Sequence, residues 1–143
     1  LPVVTVVCGI LEDGEGCLLL AQRPADKVMP FFWEFPGGKL EEGENPEEAL
    51  ARELLEEIGI KVSLNQLTPL TFVSLPYSDF HIILLCYQCH EWSGIPKALE
   101  GQGGLEWVCP KDLENYPMRE ANRAVLPLLQ NGADSNRINA SMP

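Results

Sequence analysis

The feature that most narrows the folds open to this chain is the stretch Pro46 to Gly59, which carries the start, body and stop signals of one amphipathic helix. Asn45 suits the N-cap, Pro46 the first turn, and Glu48 the third helical position that completes a capping box. Glu47 and Glu48 sit at the positive end of the helix dipole. Gly59 stands where a left-handed C′ residue ends a helix. At 100° per residue, Leu50, Ala51, Leu54, Leu55 and Ile58 fill one arc, so this helix must bury that face against another layer. Glu53, Glu56 and Glu57 fall on the other side at spacings of i, i+3 and i+4, which makes them surface neighbours. Each such like-charge pair costs roughly 0.2–0.5 kcal/mol in an isolated helix. The nearby cation is Arg52. Two readings stand at this point: a solvated acidic face, or a site for a hard divalent cation held by oxygen ligands, Mg²⁺ or Mn²⁺.

Around the helix the chain reads as strands in pairs. Val3–Leu11 is an apolar strand and Cys17–Gln22 a second, joined through Asp13-Gly14-Glu15-Gly16 as a hairpin. Residues 24–31 form a loop, and Trp33–Phe35 a short strand stopped by Pro36-Gly37-Gly38. Leu70–Leu75 and Phe80–His90 make another hairpin around Pro76-Tyr77-Ser78-Asp79. Gly94–Gly104 is a loop, Leu105–Val108 a last strand, and a second helix covers roughly Asn122–Gln130, with Pro127 suited to a first turn. Residues 131–143 read as a flexible polar tail. The pattern is α+β: one domain over residues 1–130, with a mixed sheet and helices packed on it.

The 143 residues carry a formal net charge of −11. The window 34–57 holds nine acids against Lys39 and Arg52, so most of that charge is concentrated there. This balance argues against a groove for duplex nucleic acid, which needs clustered Lys and Arg. It leaves room for a single nucleotide bridged by a divalent cation. No apolar run approaches the roughly 20 residues of a membrane helix, and segment 1–11 reads as a strand rather than a leader peptide. Five cysteines (Cys8, Cys17, Cys86, Cys89 and Cys109) in strand-like contexts point to buried thiols in a reducing cytoplasm. Cys86-x-x-Cys89 beside His81 and His90 is weak as a zinc motif, because a strand sends Cys86 and Cys89 to opposite faces.

Paired glycines just ahead of the helix, in Pro36-Gly37-Gly38-Lys39, let backbone approach a ligand closely. Gly38, five residues, Glu44, seven residues, then Arg52-Glu53-Leu54-Leu55-Glu56-Glu57-Ile58-Gly59-Ile60 resembles the full Nudix box. Nine specified positions at fixed spacing make the match specific. The resemblance implies an α/β/α sandwich and a loop–helix–loop that binds Mg²⁺ (Mn²⁺ as substitute) against a diphosphate. It implies Glu53, Glu56 and Glu57 as metal ligands with the Gly37 carbonyl, Arg52 orienting the carboxylates, and Glu44 bracing the loop.

Outside the box, Gln22-Arg23-Pro24-Ala25-Asp26-Lys27 followed by Trp33-Glu34-Phe35-Pro36-Gly37-Gly38-Lys39 is similar to the MutT type. Glu100-Gly101-Gln102 with Glu106-Trp107 resembles the segment carrying a late acidic ligand, which makes Glu100 a ligand or base candidate. Ala121-Asn122 resembles the segment whose Asn reads the purine. The resemblance thus implies a hydrolase that cleaves a nucleoside triphosphate to the monophosphate and pyrophosphate, with 8-oxo-dGTP preferred. Glu53, Arg52, Glu44 and Glu100 are its catalytic set. Arg23, Glu34, Phe35, Pro36, Gly37, Gly38, Lys39 and Asn122 bind substrate. A monomer acting on a small nucleotide in the cytoplasm is expected.

The residues also speak for themselves. An Asn amide offers acceptor and donors together, which matches O6 beside N7–H on syn 8-oxoguanine, whereas unmodified guanine has an acceptor at N7. The competing reading of Asn122 is a helix cap. Phe35 can equally be core, and Arg23 a surface ion pair. The chain departs from the type in having Phe80 before His81, and Val28-Met29 where a His–Met is common. A CTP or modified-pyrimidine pyrophosphohydrolase is the alternative enzyme, although such relatives tend to carry Asp at the place of Asn122. A non-catalytic recognition domain of the same fold is the alternative from another class, and such modules usually lose the box carboxylates that remain here.

Overall fold

A computed structural model describes residues 1–130. The tail assigned to 131–143 lies outside the described residues. Seven strands form two sheets: β1 (Val3–Leu11), β2 (Leu18–Gln22), β3 (Trp33–Glu34), β4 (Gly37–Lys39), β5 (Thr68–Pro76), β6 (His81–Cys89) and β7 (Leu105–Val108). The larger sheet runs β4-β1-β6-β5 and the smaller β3-β2-β7. The larger sheet is mixed: β1 lies parallel to β6 but antiparallel to β4, and β5 pairs antiparallel with β6.

β1 alternates between two cores, which is why it reads as a continuous apolar run. Val7 and Leu11 pack in one cluster with Ala49, Leu50, Leu54 and Ile58 of α1 (Pro46–Ile58). Cys8 and Ile10 pack in the other with Phe35, Leu84, Leu113, Val125 and Leu126. Sheet therefore stands between α1 and the C-terminal turns, the α/β/α arrangement expected.

The helix forms where its signals lie. Asn45 and Glu48 close the capping box and Gly59 ends α1 at φ 71°. Leu55 does not join the buried arc: it is 53% exposed, at the margin of the apolar stripe. The β5–β6 hairpin and β7 also form where expected.

Three elements differ. β1 and β2 do not make a hairpin ladder: they belong to different sheets, and the isolated bridge Glu12↔Leu18 is what remains of the turn. Sequence-adjacent strands pair by default, but β1 pairs on both edges with β4 and β6, leaving no edge for β2. Gly37-Gly38 does not stop strand structure but forms β4 against β1. A Cβ on Gly37 would come within 1.9 Å of the Val7 carbonyl oxygen, so the close approach requires glycine. The helix assigned to Asn122–Gln130 is broken. α2 covers Glu120–Arg123, a turn follows, and residues 126–130 are helical with Pro127 in their first turn.

Candidate active site

A cleft of about 1200 Å³ opens between the two sheets. Gly37, Gly38, Glu53, Glu57 and Glu100 line one end, and Phe35, Asn122, Arg119 and the apolar side chains of Val4, Ile82 and Leu84 line the rest.

At the acidic end, carboxylate oxygens of Glu53, Glu57 and Glu100 lie within 4.8 Å of one another. The helix brings the first two together by its spacing. Glu100 arrives from a loop bound to the C-terminus of α1. Leu99 N–H and the Gln102 side-chain amide both donate to the Glu57 carbonyl (3.0 and 2.9 Å), and Lys97 N–H donates to the Ile58 carbonyl at 2.9 Å. Gln102 Oε1 in turn accepts from Glu100 N–H at 2.7 Å. Helix carbonyls left without intrahelical partners thus anchor the loop that carries the third carboxylate.

Burial pushes the Glu57 carboxyl up to about 9, with Glu53, Glu34 and Glu100 adding like charge, against one compensating hydrogen bond from Gly37 N–H at 3.2 Å. Burial likewise raises Glu53, against the pull of Arg52. An oxygen-only donor set whose carboxylates resist ionisation by themselves is chemically suited to a hard divalent cation. The backbone leaves room for it through Gly38, where a Cβ would lie 2.4 Å from Glu53 Cδ.

Arg52 works from behind this group. Its Nε and Nη2 donate to both oxygens of Glu44 (2.7 and 2.9 Å), Nη1 to Glu53 (2.9 Å) and Glu56 (3.2 Å), and Nη2 also to the Lys39 carbonyl (3.2 Å). That fork raises the Arg52 pKa and lowers that of Glu44. One guanidinium thereby fixes helix, loop and β4 together. Glu56 is not brought into the cluster of three. It lies on the outer side of α1, mostly exposed, against Arg52.

At the other end, Asn122 is 8% exposed, and its Oδ1 accepts from Phe35 N–H at 3.0 Å. This bond fixes which side of the amide carries oxygen and leaves the NH₂ group and a second oxygen lone pair. Asn122 lies inside α2, whose N-cap is Arg119, so it is not a helix cap. Phe35 is both core and cleft wall. Pro36 is buried and passes its carbonyl to Gly9 N–H at 2.8 Å, so it shapes the entry to β4 rather than lining the cleft. Lys39 lines the cleft from the end of β4.

Arg23 is not a surface ion pair. It lies largely covered, donates to the Val28 carbonyl (2.7 Å) and to Glu34 Oε1 (3.0 Å), and so shapes the loop 24–31. Arg119 is a cleft residue that sequence reasoning missed. Its Nη2 lies 3.6 Å from the same Glu34 oxygen, and its buried Nε has no hydrogen-bond partner. Its place three residues before Asn122, one helical turn, was the available signal. Cys86 and Cys89 do fall in opposite cores.

A mixed-sheet sandwich that aims a capped helix's carboxylates and a Gly-Gly strand into one cleft defines a recognisable class. The chain belongs to the NUDIX domain family, which matches residues 2–129. It is 37% identical over 127 residues to the 8-oxo-dGTP diphosphatase of Escherichia coli K12, covering 87% of this chain and 95% of that protein. To the 8-oxo-dGTP diphosphatase of Proteus vulgaris it is 47% identical over 87 residues, 61% of this chain and 76% of the relative. Among solved structures, one of MutT from work on Aliivibrio salmonicida and Vibrio cholerae superposes with a TM-score of 0.76 at 33% identity, covering 91% of this chain and 98% of that one.

Proposed function

We propose that the chain hydrolyses a nucleoside triphosphate to the monophosphate and pyrophosphate, with 8-oxo-dGTP the preferred substrate. The observation that carries this is the two-ended cleft: three converging carboxylates at one end, and at the other a buried amide whose orientation is fixed by a backbone donor. Glu53, Glu57 and Glu100 would hold Mg²⁺, or Mn²⁺ in its place, with the Gly37 carbonyl as a further ligand. When bound, the cation neutralises phosphate oxygens and lowers the pKa of a water. Glu53 takes the proton of the attacking water, and Glu100 is the other carboxylate within reach of that role. Arg52 holds Glu53 and Glu44 in place. Lys39 faces the phosphates.

At the base end, the Asn122 NH₂ donates to O6 and the free Oδ1 lone pair accepts N7–H, a donor that 8-oxoguanine has and guanine lacks. Arg23 and Glu34 fix the loop beside the base and Phe35 closes the floor, while the Gly37-Gly38 backbone lies at the acidic end against Glu53 and Glu57. The setting we propose is a monomer in the cytoplasm. In support, all five cysteines are free, and no helix among the described residues is long and apolar enough to cross a membrane.

The test is Mg²⁺-dependent turnover at sub-saturating substrate, comparing 8-oxo-dGTP, dGTP, CTP and 5-methyl-dCTP with Glu53→Gln as the blank. A kcat/KM strongly favouring 8-oxo-dGTP, with monophosphate and pyrophosphate as products, supports the reading. A pyrimidine preference retains the acidic end and discards the base end.

A further inference from the structure

The two thiols at the start of β2 and the end of β7 have a use that hydrolysis does not explain. Cys17 Sγ lies 3.5 Å from Cys109 Sγ, across 92 residues of sequence. The ladder β2–β7 pairs Leu18 with Val108, so the next opposed pair is Cys17 with Cys109. The backbone of Cys17 is taken up elsewhere. Its N–H donates to Asp13 Oδ1 at 2.8 Å, and its carbonyl accepts from Asp13 N–H at 3.0 Å. The Cys109 carbonyl accepts from Asp112 N–H at 2.9 Å. The two cysteines therefore form a non-hydrogen-bonded pair, in which Cα atoms stand about 4.5 Å apart with side chains close together. That separation falls inside the range a disulfide needs, roughly 4.4–6.8 Å.

We propose that Cys17 and Cys109 are a peroxide-reactive dithiol that closes to a reversible intramolecular disulfide. Cys109 is exposed and reacts first. Its thiolate attacks one peroxide oxygen, the O–O bond breaks, and the departing hydroxide takes a proton to leave water and a sulfenic acid. Cys17 then attacks that sulfur, the S–O bond breaks, and a second water leaves. Overall, two thiols and one hydrogen peroxide give one disulfide and two waters. The bond to Cys109, with burial and the charges of Asp13 and Glu15, holds the Cys17 thiol up to about 11, consistent with the second, resolving role.

The other close pair is a built-in contrast. Cys8 and Cys86 lie 3.4 Å apart in register on the parallel strands β1 and β6, but both are buried, whereas Cys109 is exposed. The ring closed by a Cys17–Cys109 bond takes in β2 to β7 and the whole of α1, including all three clustered glutamates. A loop that long restrains the unfolded chain strongly. The pair also lies at the opposite end of β2 from Ala21, where that strand lines the cleft. Closure thus stabilises the fold without touching the site.

The experiment treats the full chain with hydrogen peroxide, then measures intact mass, non-reduced peptide map and Tm, with and without dithiothreitol, alongside Cys17→Ser and Cys109→Ser. The expected result is a loss of about 2 Da, one cross-linked peptide joining Cys17 to Cys109, and a Tm rise of at least about 5 °C. The reductant reverses all three, and neither variant shows them, while 8-oxo-dGTP turnover stays within about twofold. Oxygen addition on Cys109 without a cross-link, a cross-link between other cysteines, or a cross-link that leaves Tm unchanged overturns the proposal.

Discussion

The two ends of the cleft are built in opposite ways. The acidic end comes almost wholly from residues 37–57, a strand, a loop and a helix locked by Arg52, with Glu100 the one arrival from elsewhere. The base end takes its residues from β1, β3, β6 and α2, and its key bond, Phe35 N–H to Asn122 Oδ1, spans 87 positions. Chemistry common to all phosphate substrates sits on the local, self-bracing unit. Choice of base sits on contacts that exist only when distant elements pack. Substitutions at one end should therefore change rate without selectivity, and at the other selectivity more than rate.

The sharpest division comes from Glu53→Gln, which we expect to lower kcat/KM by about 10³-fold on every nucleotide while Tm holds. If a tenth of the activity survived, the base would be Glu100. Gly38→Ala comes next. Its Cβ would lie 2.4 Å from Glu53 Cδ and push that carboxylate aside, so kcat should fall on the order of 10²-fold with the ratio of 8-oxo-dGTP to dGTP turnover unmoved. A changed ratio in Gly38→Ala would mean that the two ends are not separate.

Asn122→Ala reverses that signature. The 8-oxo-dGTP to dGTP preference should fall roughly 10- to 100-fold. Denaturant melts should show about 1–3 kcal/mol less stability, because a buried Phe35 N–H loses its acceptor. Loss of rate with selectivity intact would remove Asn122 from base recognition.

The smallest effect is a pH dependence of the metal-free protein. Glu57 is raised in the folded state from about 4.5 to about 9, so the protonated form stabilises the fold. That contribution is complete below the unfolded value and is lost as pH rises through the folded one. In chelator, Tm should drop by a few degrees between pH 6 and pH 9, and Mg²⁺ should restore more at pH 9 than at pH 6. A flat profile in chelator would show that Glu57 is ionised throughout and that the acidic end is more open than its burial indicates.

Legibility followed the same division. The capping box, the helix limits and the pairing of Glu53 with Glu57 were readable because each depends on neighbours within a turn. Cys17–Gln22 reads as the hairpin partner of β1 but pairs in the other sheet, since pairing is set by which edges other strands have already filled. Glu56 shows the limit even inside the helix. At i+3 from Glu53 it is as near a helix neighbour as Glu57 at i+4, but its side chain faces Arg52 and solvent. Arg119 is marked in the sequence only by its place three residues before Asn122, and its lodging against Glu34 depends on a contact across 85 positions.

By itself the sequence determined the acidic helix and its caps, because these rest on i to i+4 spacing and on residues with few backbone options, while the class of chemistry came from the resemblance of the whole Gly38–Ile60 pattern to the Nudix box. Tertiary structure alone decided which three carboxylates converge, how the loop of Glu100 is tied to the exposed carbonyls of α1, and which way the Asn122 amide faces. Each of those depends on a hydrogen bond or burial between residues far apart in sequence, and no local propensity encodes such a partner.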